Sequence, residues 1–481
     1  MRLSAHDASF LYSETASGPM HSVGMTILEG PATYDEVLAY YAERVHLVPR
    51  LRQKLAFVPF NVAHPKWIDD DEFELTNHVK PHTAPPNTTL SQGLQIALEL
   101  GEPLLERSRP LWMVYVIENV EGRTLLATLT HHAFADGATM VAMTTVLTDA
   151  DPNYTPDPAP EWHPAKPQQS FELWQEAMTE NGQAALQQGQ ALAQNAQTLA
   201  AVSTKSASLM QRLARPVMQA PWNASLVGPK REIGVLTLPL ESFRPIRAAF
   251  GGSINDVVVT VVSEAAARYL QSKGEQVSGQ SLRLMCPVSV RHEGDDPLSA
   301  GNHVSAMFPI LSAEPKTILD RYTEVRAEFE EIKKNEESWV LDQIQKLQPN
   351  VPPVAMAQTL TVGTQWDMTA GAARAPLPVV PAGNLPRPQQ LGFNFTCTNV
   401  PGPNWTQYVA GYKVENMYGT LMLGGNLGFG CGVNSHSGKV NFVLTCDPRL
   451  MPDVGTFEHH LAESFRELEA AAGAAAEQGE K

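Results

Sequence analysis

The run Thr124–Thr130 is apolar and rich in threonine, which predicts a half-buried strand with two rows of side chains on opposite faces. The rows are Leu125, Ala127, Leu129 and His131, and Leu126, Thr128, Thr130 and His132. We expect the second, more polar row to face a channel or cleft, and the first to face the core. After Gly137 the apolar spacing becomes helical, and Asp136 or Gly137 can cap the first turn. This stretch is predicted to be a strand-to-helix elbow carrying two histidines.

Similar patterns predict the rest of the N-terminal half. The expected elements are a strand at His21–Leu28, helices near 34–45 and 90–100, and a strand at Trp112–Ile117 that pairs with the elbow strand. Arg107 and Arg109 are expected to pair with surface carboxylates rather than with a phosphate. The proline-rich residues 151–167 predict a linker. Residues 170–215 predict a helical tether between domains, which we favour over a lipid-surface helix because interfacial helices generally carry Lys or Arg.

The C-terminal half is predicted to mix strands and helices. Helices are expected near 241–250, 258–269, 317–333 and 454–471, and strands near 231–238, 281–290, 301–308, 392–400, 417–423, 427–434 and 440–446. Asn255 and Asp256 fit a helix cap. Gly428, Gly430 and Gly432 alternate along one strand, and their bare face can admit a ligand or a neighbouring backbone. Residues 370–390 are rich in Pro, Ala and Gly and predict a mobile loop.

Composition narrows the classes of function. A chain of 481 residues suggests two or three domains. Its net charge of -16 argues against a nucleic-acid partner and against strong attraction to anionic lipid. The N-terminal residues lack a signal-peptide pattern and no run of about 18 apolar residues occurs, so we expect a cytoplasmic protein without a membrane span. The cysteines are expected to be reduced and buried: Cys286, Cys397, Cys431 and Cys446.

The two histidines constrain the chemistry. Adjacent strand residues point to opposite faces, so His131 and His132 are poorly placed to bind one metal ion together. A neutral imidazole is a suitable general base towards a hydroxyl or an amine, and the row assignment favours His132 for this task. Asp136 can orient an imidazole or form a salt bridge that closes the elbow. The spacing leaves one alternative open: a buried, hydrogen-bonded histidine pair with Asp136 as a simple N-cap.

The elbow contains the motif HHxxxDG, as His131-His132-Ala-Phe-Ala-Asp136-Gly137. Further sequence blocks typical of one family lie before and after it, in order along nearly the whole chain. They are Leu3–Leu11, Pro19-Met-His21, Arg107–Trp112, Asn255-Asp256, Pro287–Arg291 with Gly301-Asn302, Asn399–Pro403, and Asp447-Pro with Pro452-Asp453. On these residues the chain resembles the bacterial wax ester synthase/acyl-CoA:diacylglycerol acyltransferases, within the group that includes chloramphenicol acetyltransferase and peptide-synthetase condensation domains. Ala5-His6 departs from the family's first block, in which we expect proline and a different residue before Asp7.

The resemblance implies an α/β fold of two chloramphenicol-acetyltransferase-like domains, each a mixed sheet packed with helices, with a helical linker and a channel between them. We assign residues 1–150 to the N-terminal domain, 151–230 to the linker and 231–481 to the C-terminal domain. The implied reaction transfers a long-chain acyl group from acyl-CoA to a fatty alcohol, giving a wax ester, or to diacylglycerol, giving triacylglycerol. Acyl-CoA is a co-substrate, and neither a cofactor nor a metal is expected.

The resemblance also implies site residues. The family's second motif histidine is the general base and maps to His132. Its neighbour His131 belongs to the same catalytic motif, and Asp136 maps to a structural and orienting role. Gly137, Asn255 and Asp256 are expected near the substrate. For Asn255, oxyanion stabilisation, substrate positioning and simple helix capping stay open.

Water-insoluble substrates imply association with the inner membrane or with neutral-lipid inclusions. The sequence leaves the oligomeric state open, including a homodimer. Two other classes of function are possible for such a chain. One is a condensation enzyme that forms amides from carrier-bound thioesters, although no carrier domain is fused here. The other is a non-catalytic lipid-binding protein that keeps the fold, which the intact HHxxxDG motif disfavours.

Overall fold

The computed structural model describes residues 1–194, 196–291, 294, 296, 298, 302, 304–347 and 392–479. The loop expected at 370–390 lies outside these residues. The described helices are α1 (Ala5–Ser13), α2 (Tyr34–Arg44), α3 (Leu90–Leu100), α4 (Gly137–Val146), α5 (Ser170–Gln194), α6 (Ala196–Leu213), α7 (Phe243–Phe250), α8 (Ile254–Ser272), α9 (Ile318–Lys334), α10 (Glu337–Leu347) and α11 (Val454–Gly479).

The described strands form two large mixed sheets and one small hairpin. They are β1 (His21–Leu28), β2 (Gln53–Ala56), β3 (Lys66–Asp69), β4 (Val79–Thr88), β5 (Trp112–Val120), β6 (Arg123–His131), β7 (Glu232–Pro239), β8 (Ser281–Ser289), β9 (Val304–Met307), β10 (Ile310–Ser312), β11 (Phe395–Val400), β12 (Tyr408–Val409), β13 (Tyr412–Gly419), β14 (Phe429–His436) and β15 (Lys439–Cys446). Most predicted strands and helices therefore exist, including the elbow strand and the helix after it.

The first sheet has the strand order β12-β13-β1-β6-β5-β4, with β4 parallel to β5 and the other neighbours antiparallel. The three prolines of β4 are tolerated because this strand lies at the edge, where a missing N–H breaks no ladder. Helices α2 and α3 begin at capping boxes, in which Thr33 pairs with Glu36 and Thr89 with Gln92. The elbow strand β6 lies between β1 and β5, so its backbone is paired on both sides.

The second sheet has the order β10-β8-β11-β14-β15-β7. Strand β9 pairs with the last four residues of β8. Strands β8, β11 and β14 run parallel to one another, so this sheet is also mixed. Helix α8 is buried on nearly all sides between this sheet, α9 and α11, which explains its unbroken run of valine and alanine. All four cysteines are buried free thiols, as predicted, and Cys286, Cys397 and Cys431 lie side by side on neighbouring strands.

Two strands of the first sheet come from the C-terminal half of the chain. Strand β13 pairs with β1, and Val23 N donates to Thr420 Oγ1 just beyond the end of β13. The expected strand at 417–423 is wrong in its bounds, because the strand ends at Gly419 and Leu421 turns onto the second sheet. The proposed domain boundaries stay a prediction, but the two sheets do not separate at a single point in the sequence.

The bare glycine face of β14 and the residues before it accepts neighbouring protein groups. A Cβ atom on Gly430 or Gly432 would meet the Leu421 side chain, and one on Gly428 would meet Leu450 and the carbonyl oxygen of Trp222. Of the two uses expected for this face, the structure therefore shows close approach by another part of the chain.

The linker is helical, as predicted. Helix α5 packs on the first half, where Asn181 Nδ2 donates to Val62 O at 2.9 Å and Lys66 forms an ion pair with Glu176. Helix α6 packs on α10 of the second half. Among the described residues no single helix is long and apolar enough to cross a membrane, and only the pair 240–250 and 254–272, bent by 97°, reaches that composition.

A glycine within the block Asn399–Pro403 gives a test of this packing. A Cβ atom on Gly402 would overlap the backbone carbonyl oxygen of Ser435, which cannot move without disturbing the β14–β15 hairpin. We expect Gly402→Ala to lower the free energy of unfolding by at least ~1–3 kcal/mol in urea denaturation. The control is Gly455→Ala at the start of α11, where the added methyl meets nothing within 4 Å and alanine favours the helix. Equal stability of the two variants would contradict this close approach.

Candidate active site

The elbow is built by a strand end, a turn and a capped helix. Strand β6 ends at His131, the following three residues form a turn in which Phe134 N donates to His131 O, and α4 begins at Gly137. Asp136 is the N-cap, because its Oδ1 accepts from Thr139 N at 2.8 Å. The predicted cap is confirmed, and it fixes the direction in which the chain leaves the sheet.

His131 is fully buried and is held from both ring nitrogens. Its Nδ1 accepts from Ala133 N at 3.0 Å, so the ring proton is assigned to Nε2. That nitrogen lies 3.3 Å from Glu14 Oε1, and both side chains are 1% exposed. The expectation that His131 faces the core is confirmed. The two contacts make this histidine a brace of the turn.

Glu14 is a residue of the site that the sequence patterns did not indicate. Burial opposes its ionisation, but hydrogen bonds from His131, Met20 N and Arg107 outweigh burial and lower its pKa to about 2. Arg107 Nη2 lies 3.0 Å from Glu14 Oε2 and also donates to Leu11 O. The expected pairing of Arg107 with a surface carboxylate is wrong, because its partner is buried. Arg109 does pair with an exposed carboxylate, that of Glu106.

His132 lies beyond the end of the strand, and its half-buried side chain owes its position to the turn. Its N–H donates to Met20 O at 2.8 Å, and its ring packs on Phe10 with the centroids 4.3 Å apart. The argument from alternating faces was wrong for the polar row, since Leu126 and Thr130 are buried too. A central strand covered on both faces does not produce one solvated row.

The surroundings of His132 keep its imidazole neutral. Burial lowers its pKa to about 4, and the opposing effect of Asp136 is smaller. His6 of α1 packs edge-on against Phe10. Together with His131, it further disfavours a positive charge on His132 and so lowers the pKa of that imidazole. A neutral imidazole at pH 7 can accept a proton from a substrate.

A salt bridge from the second half of the chain closes the elbow. Arg291 follows β8, and its Nη1 lies 3.1 and 3.0 Å from the two carboxylate oxygens of Asp136. Its Nη2 donates to Thr139 Oγ1 at 2.7 Å. A salt bridge at Asp136 was one of the two roles predicted, but no sequence pattern indicated that its partner would come from the other half.

Asn302 forms a second connection between the halves. Its backbone N and its Nδ2 both donate to Asp7 Oδ1, at 2.8 and 2.6 Å, and Nδ2 also donates to His132 O at 2.9 Å. Asp7 is buried in the first turn of α1, where Ser4 is the N-cap. Both residues lie in family-like blocks, but the sequence suggested no role for either.

The other predicted site residues occupy two places. Gly137 is the first residue of α4, and a Cβ atom there would lie 3.3 Å from Val400 at the end of β11. Asn255 and Asp256 lie in the first turn of α8, whose N-cap is Ser253. The predicted capping role is confirmed for Asp256, and neither predicted residue is the N-cap itself. Asp256 completes the capping box by accepting from Ser253 N at 2.6 Å.

The elbow therefore unites His131, His132, Asp136 and Gly137, whereas the contacts of Asp256 belong to the helix cap. Substrate contacts of Gly137, Asn255 and Asp256 stay predictions. Within the described ranges, no group of three or more His, Cys, Asp and Glu side chains is arranged to hold a metal ion. The expectation that no metal takes part also stays a prediction.

Two family models match this chain. Residues 3–258 match the wax ester synthase/diacylglycerol acyltransferase catalytic domain, and residues 300–469 match the WS/DGAT C-terminal domain. The chain belongs to this acyltransferase family. A probable diacylglycerol O-acyltransferase of Mycobacterium tuberculosis H37Rv is 27% identical, over 97% of this chain and 95% of the relative. A putative diacylglycerol O-acyltransferase of strain CDC 1551 is also 27% identical, over 97% of this chain and 90% of the relative.

Solved structures confirm the predicted fold. The wax ester synthase/diacylglycerol acyltransferase of Marinobacter aquaeolei VT8 matches with a TM-score of 0.65 and 19% identity, covering 98% of this chain and all of that one. The starter condensation domain of rhizomide synthetase, in complex with C8-CoA and Leu-SNAC, matches with a TM-score of 0.57 and 13% identity, covering 98% and 94%. The two-domain α/β fold of the acyltransferase and condensation-domain group is thus present in this chain.

The brace at His131 predicts a stability effect. Glu14→Ala would leave the buried Nε2–H of His131 without its acceptor, and an unsatisfied buried donor typically costs ~1–3 kcal/mol, so we expect the variant to lower the free energy of unfolding by about that amount at pH 7. Because the pKa of Glu14 is lowered, its contribution is present above about pH 4.5 and is lost as the pH falls towards 2. The deficit of the variant, measured by denaturation at several pH values, should shrink over that window. Glu161→Ala, which changes an 84% exposed side chain, is the control, and similar stabilities of the two variants at pH 7 would contradict the brace.

Proposed function

We propose that this acyltransferase moves a long-chain acyl group from acyl-CoA to a fatty alcohol or to diacylglycerol, with His132 as the general base in a channel between the two halves. One observation carries the proposal. A neutral histidine in the HHxxxDG motif lies where Arg291 and Asn302 of the second half meet the elbow of the first. In this proposal, each half brings one substrate to the base.

The identity of the substrates rests on the related proteins. The mycobacterial relatives are named diacylglycerol O-acyltransferases, and the Marinobacter structure is named a wax ester synthase/diacylglycerol acyltransferase. A condensation domain of similar fold binds C8-CoA. These names support an acyl-CoA donor and a hydroxyl acceptor for this chain as well.

The reaction needs a base more than it needs a covalent intermediate, because a thioester is already an activated acyl donor. The acceptor oxygen attacks the thioester carbonyl carbon while His132 removes its proton. The resulting tetrahedral oxyanion then collapses, the carbon–sulfur bond breaks, and the CoA thiolate takes the proton from His132. A positioned histidine typically supplies ~10²- to 10⁴-fold of rate. The candidate donors to the oxyanion are the backbone amides near Gly137 and the side chain of Asn255.

We extend the proposal to location. Insoluble products and acceptors favour peripheral association with the inner membrane or with lipid inclusions. Exposed apolar side chains support it: Phe171 and Leu186 of α5 are 68% and 71% exposed, and Phe60, in the turn 59–61 that contacts α5, is 85% exposed. The net charge of -16 favours uncharged lipid over anionic lipid.

The base is tested by His132→Ala in an assay of CoA release with an acceptor panel from short alcohols to diacylglycerol. We expect a loss of ~10²- to 10⁴-fold with every accepted alcohol. His163→Ala is the control, because that side chain is 78% exposed in the linker. Retained activity in His132→Ala would refute the base assignment. Dependence on a carrier protein would indicate a condensation enzyme, and lipid binding without CoA release would indicate a non-catalytic protein.

The pH dependence gives a separate test. Burial favours the neutral imidazole and lowers the pKa of His132 from 6.5 to about 4. We therefore expect kcat/KM to stay nearly constant from pH 7.5 down to about pH 5 and to fall only below that, provided circular dichroism shows the protein folded. A decline centred near pH 6.5 would show that the base has an ordinary, solvated pKa and would contradict the buried site.

A further inference from the structure

The amide of Asn302 has only one orientation that fits its neighbours. Two acceptors surround its Nδ2: the Asp7 carboxylate oxygen at 2.6 Å and the His132 carbonyl oxygen at 2.9 Å. Neither atom can donate to an amide oxygen, so exchanging Oδ1 and Nδ2 would place three acceptors together. Asp7 also accepts from Asn302 N and from Ser4 Oγ, which fixes the carboxylate as the acceptor of the cluster.

The orientation of this amide leaves its oxygen available to the histidine. Asn302 Oδ1 and His132 Nδ1 are both buried, and within the described residues neither forms a hydrogen bond of good geometry in this state. Asn302 is already bonded to the main chain of His132, so its side chain is attached to the residue that carries the ring. The Asn302 side chain also favours the protonated form of the imidazole, as an acceptor near a ring nitrogen does.

We propose that Asn302 is the positioning residue of the general base: its Oδ1 accepts the Nδ1 proton of His132, and Asp7 holds the amide in place. The inference rests on the proposed role of His132. With the proton held on Nδ1, the unprotonated nitrogen is Nε2, which is then the atom that meets the acceptor hydroxyl. As His132 gains a proton in the reaction, Oδ1 stabilises the imidazolium without itself changing charge.

In the cluster Asp7–Asn302–His132, the residue next to the histidine is the uncharged Asn302, and the carboxylate of Asp7 lies behind it. Exchanging the two side chains tests whether this order matters. The double variant Asp7→Asn with Asn302→Asp keeps the shapes of both side chains and the net charge. It places the carboxylate against His132 and removes the one side-chain bond to His132 O. The other titratable and charged groups around the ring stay unchanged: His6 on α1, His131 and Asp136 on the elbow, and Arg291 on Asp136.

We expect the double variant to shift the acid limb of kcat/KM to higher pH by ~1–3 units, since a carboxylate beside an imidazole favours its protonated form. Asn302→Ala should lower kcat by ~10- to 100-fold with KM for acyl-CoA nearly unchanged, because loss of an orienting partner affects the chemical step. The control is Asn434→Ala on β14 of the second sheet, which removes one side-chain hydrogen bond to Met417 O of β13 and should leave the pH profile unchanged.

If the double variant does not fold, Asn302→Asp alone adds a carboxylate at the same position and should also raise the pH of the acid limb. The proposal is overturned if neither variant shifts the profile, or if the loss in Asn302→Ala merely follows its loss of thermal stability. That failure differs from failure of the proposed function. If the proposed function is wrong, His132→Ala itself stays active. If only the role of Asn302 is wrong, His132 is still essential.

Discussion

The strand-to-helix elbow depends on one buried carboxylate. Asp136 has no exposed surface, and a helix amide and a guanidinium satisfy its oxygens, which makes the buried charge tolerable. The amide belongs to α4 and the guanidinium to Arg291, which follows a strand of the other sheet. The same side chain therefore begins a helix and joins two sheets. The turn that carries His132 lies between this anchor and the end of β6.

The two neighbouring histidines differ because their surroundings differ. His131 is held between a backbone amide and the ionised Glu14, so its proton and its ring are fixed. His132 packs against Phe10 with an uncharged ring, and its main chain is fixed at Met20 and Asn302. The ring nitrogens of His131 are thus occupied by structural contacts. In our proposal it is the ring of His132 that exchanges a proton.

The sequence predicted the local features well, because strand periodicity and helix capping depend on residues a few positions apart. The elbow, the cap at Asp136 and the strand His21–Leu28 are examples. It did not predict Glu14, Arg291 or Asn302 as partners, since the last two come from 155 and 170 residues away along the chain. The bounds near 417–423 failed for a similar reason. An apolar run continues past Gly419, and only packing of Leu421 against the other sheet ends the strand.

The contribution of β13 to the first sheet has a consequence for biosynthesis. On the ribosome, β1 and β6 emerge early, but the neighbour that covers the outer edge of β1 is made nearly four hundred residues later. An uncovered edge is a template for wrong pairing, and contacts so distant in sequence form slowly. The nascent N-terminal half is therefore an incomplete folding unit, whose open edge needs protection by a chaperone or by rapid completion of the chain.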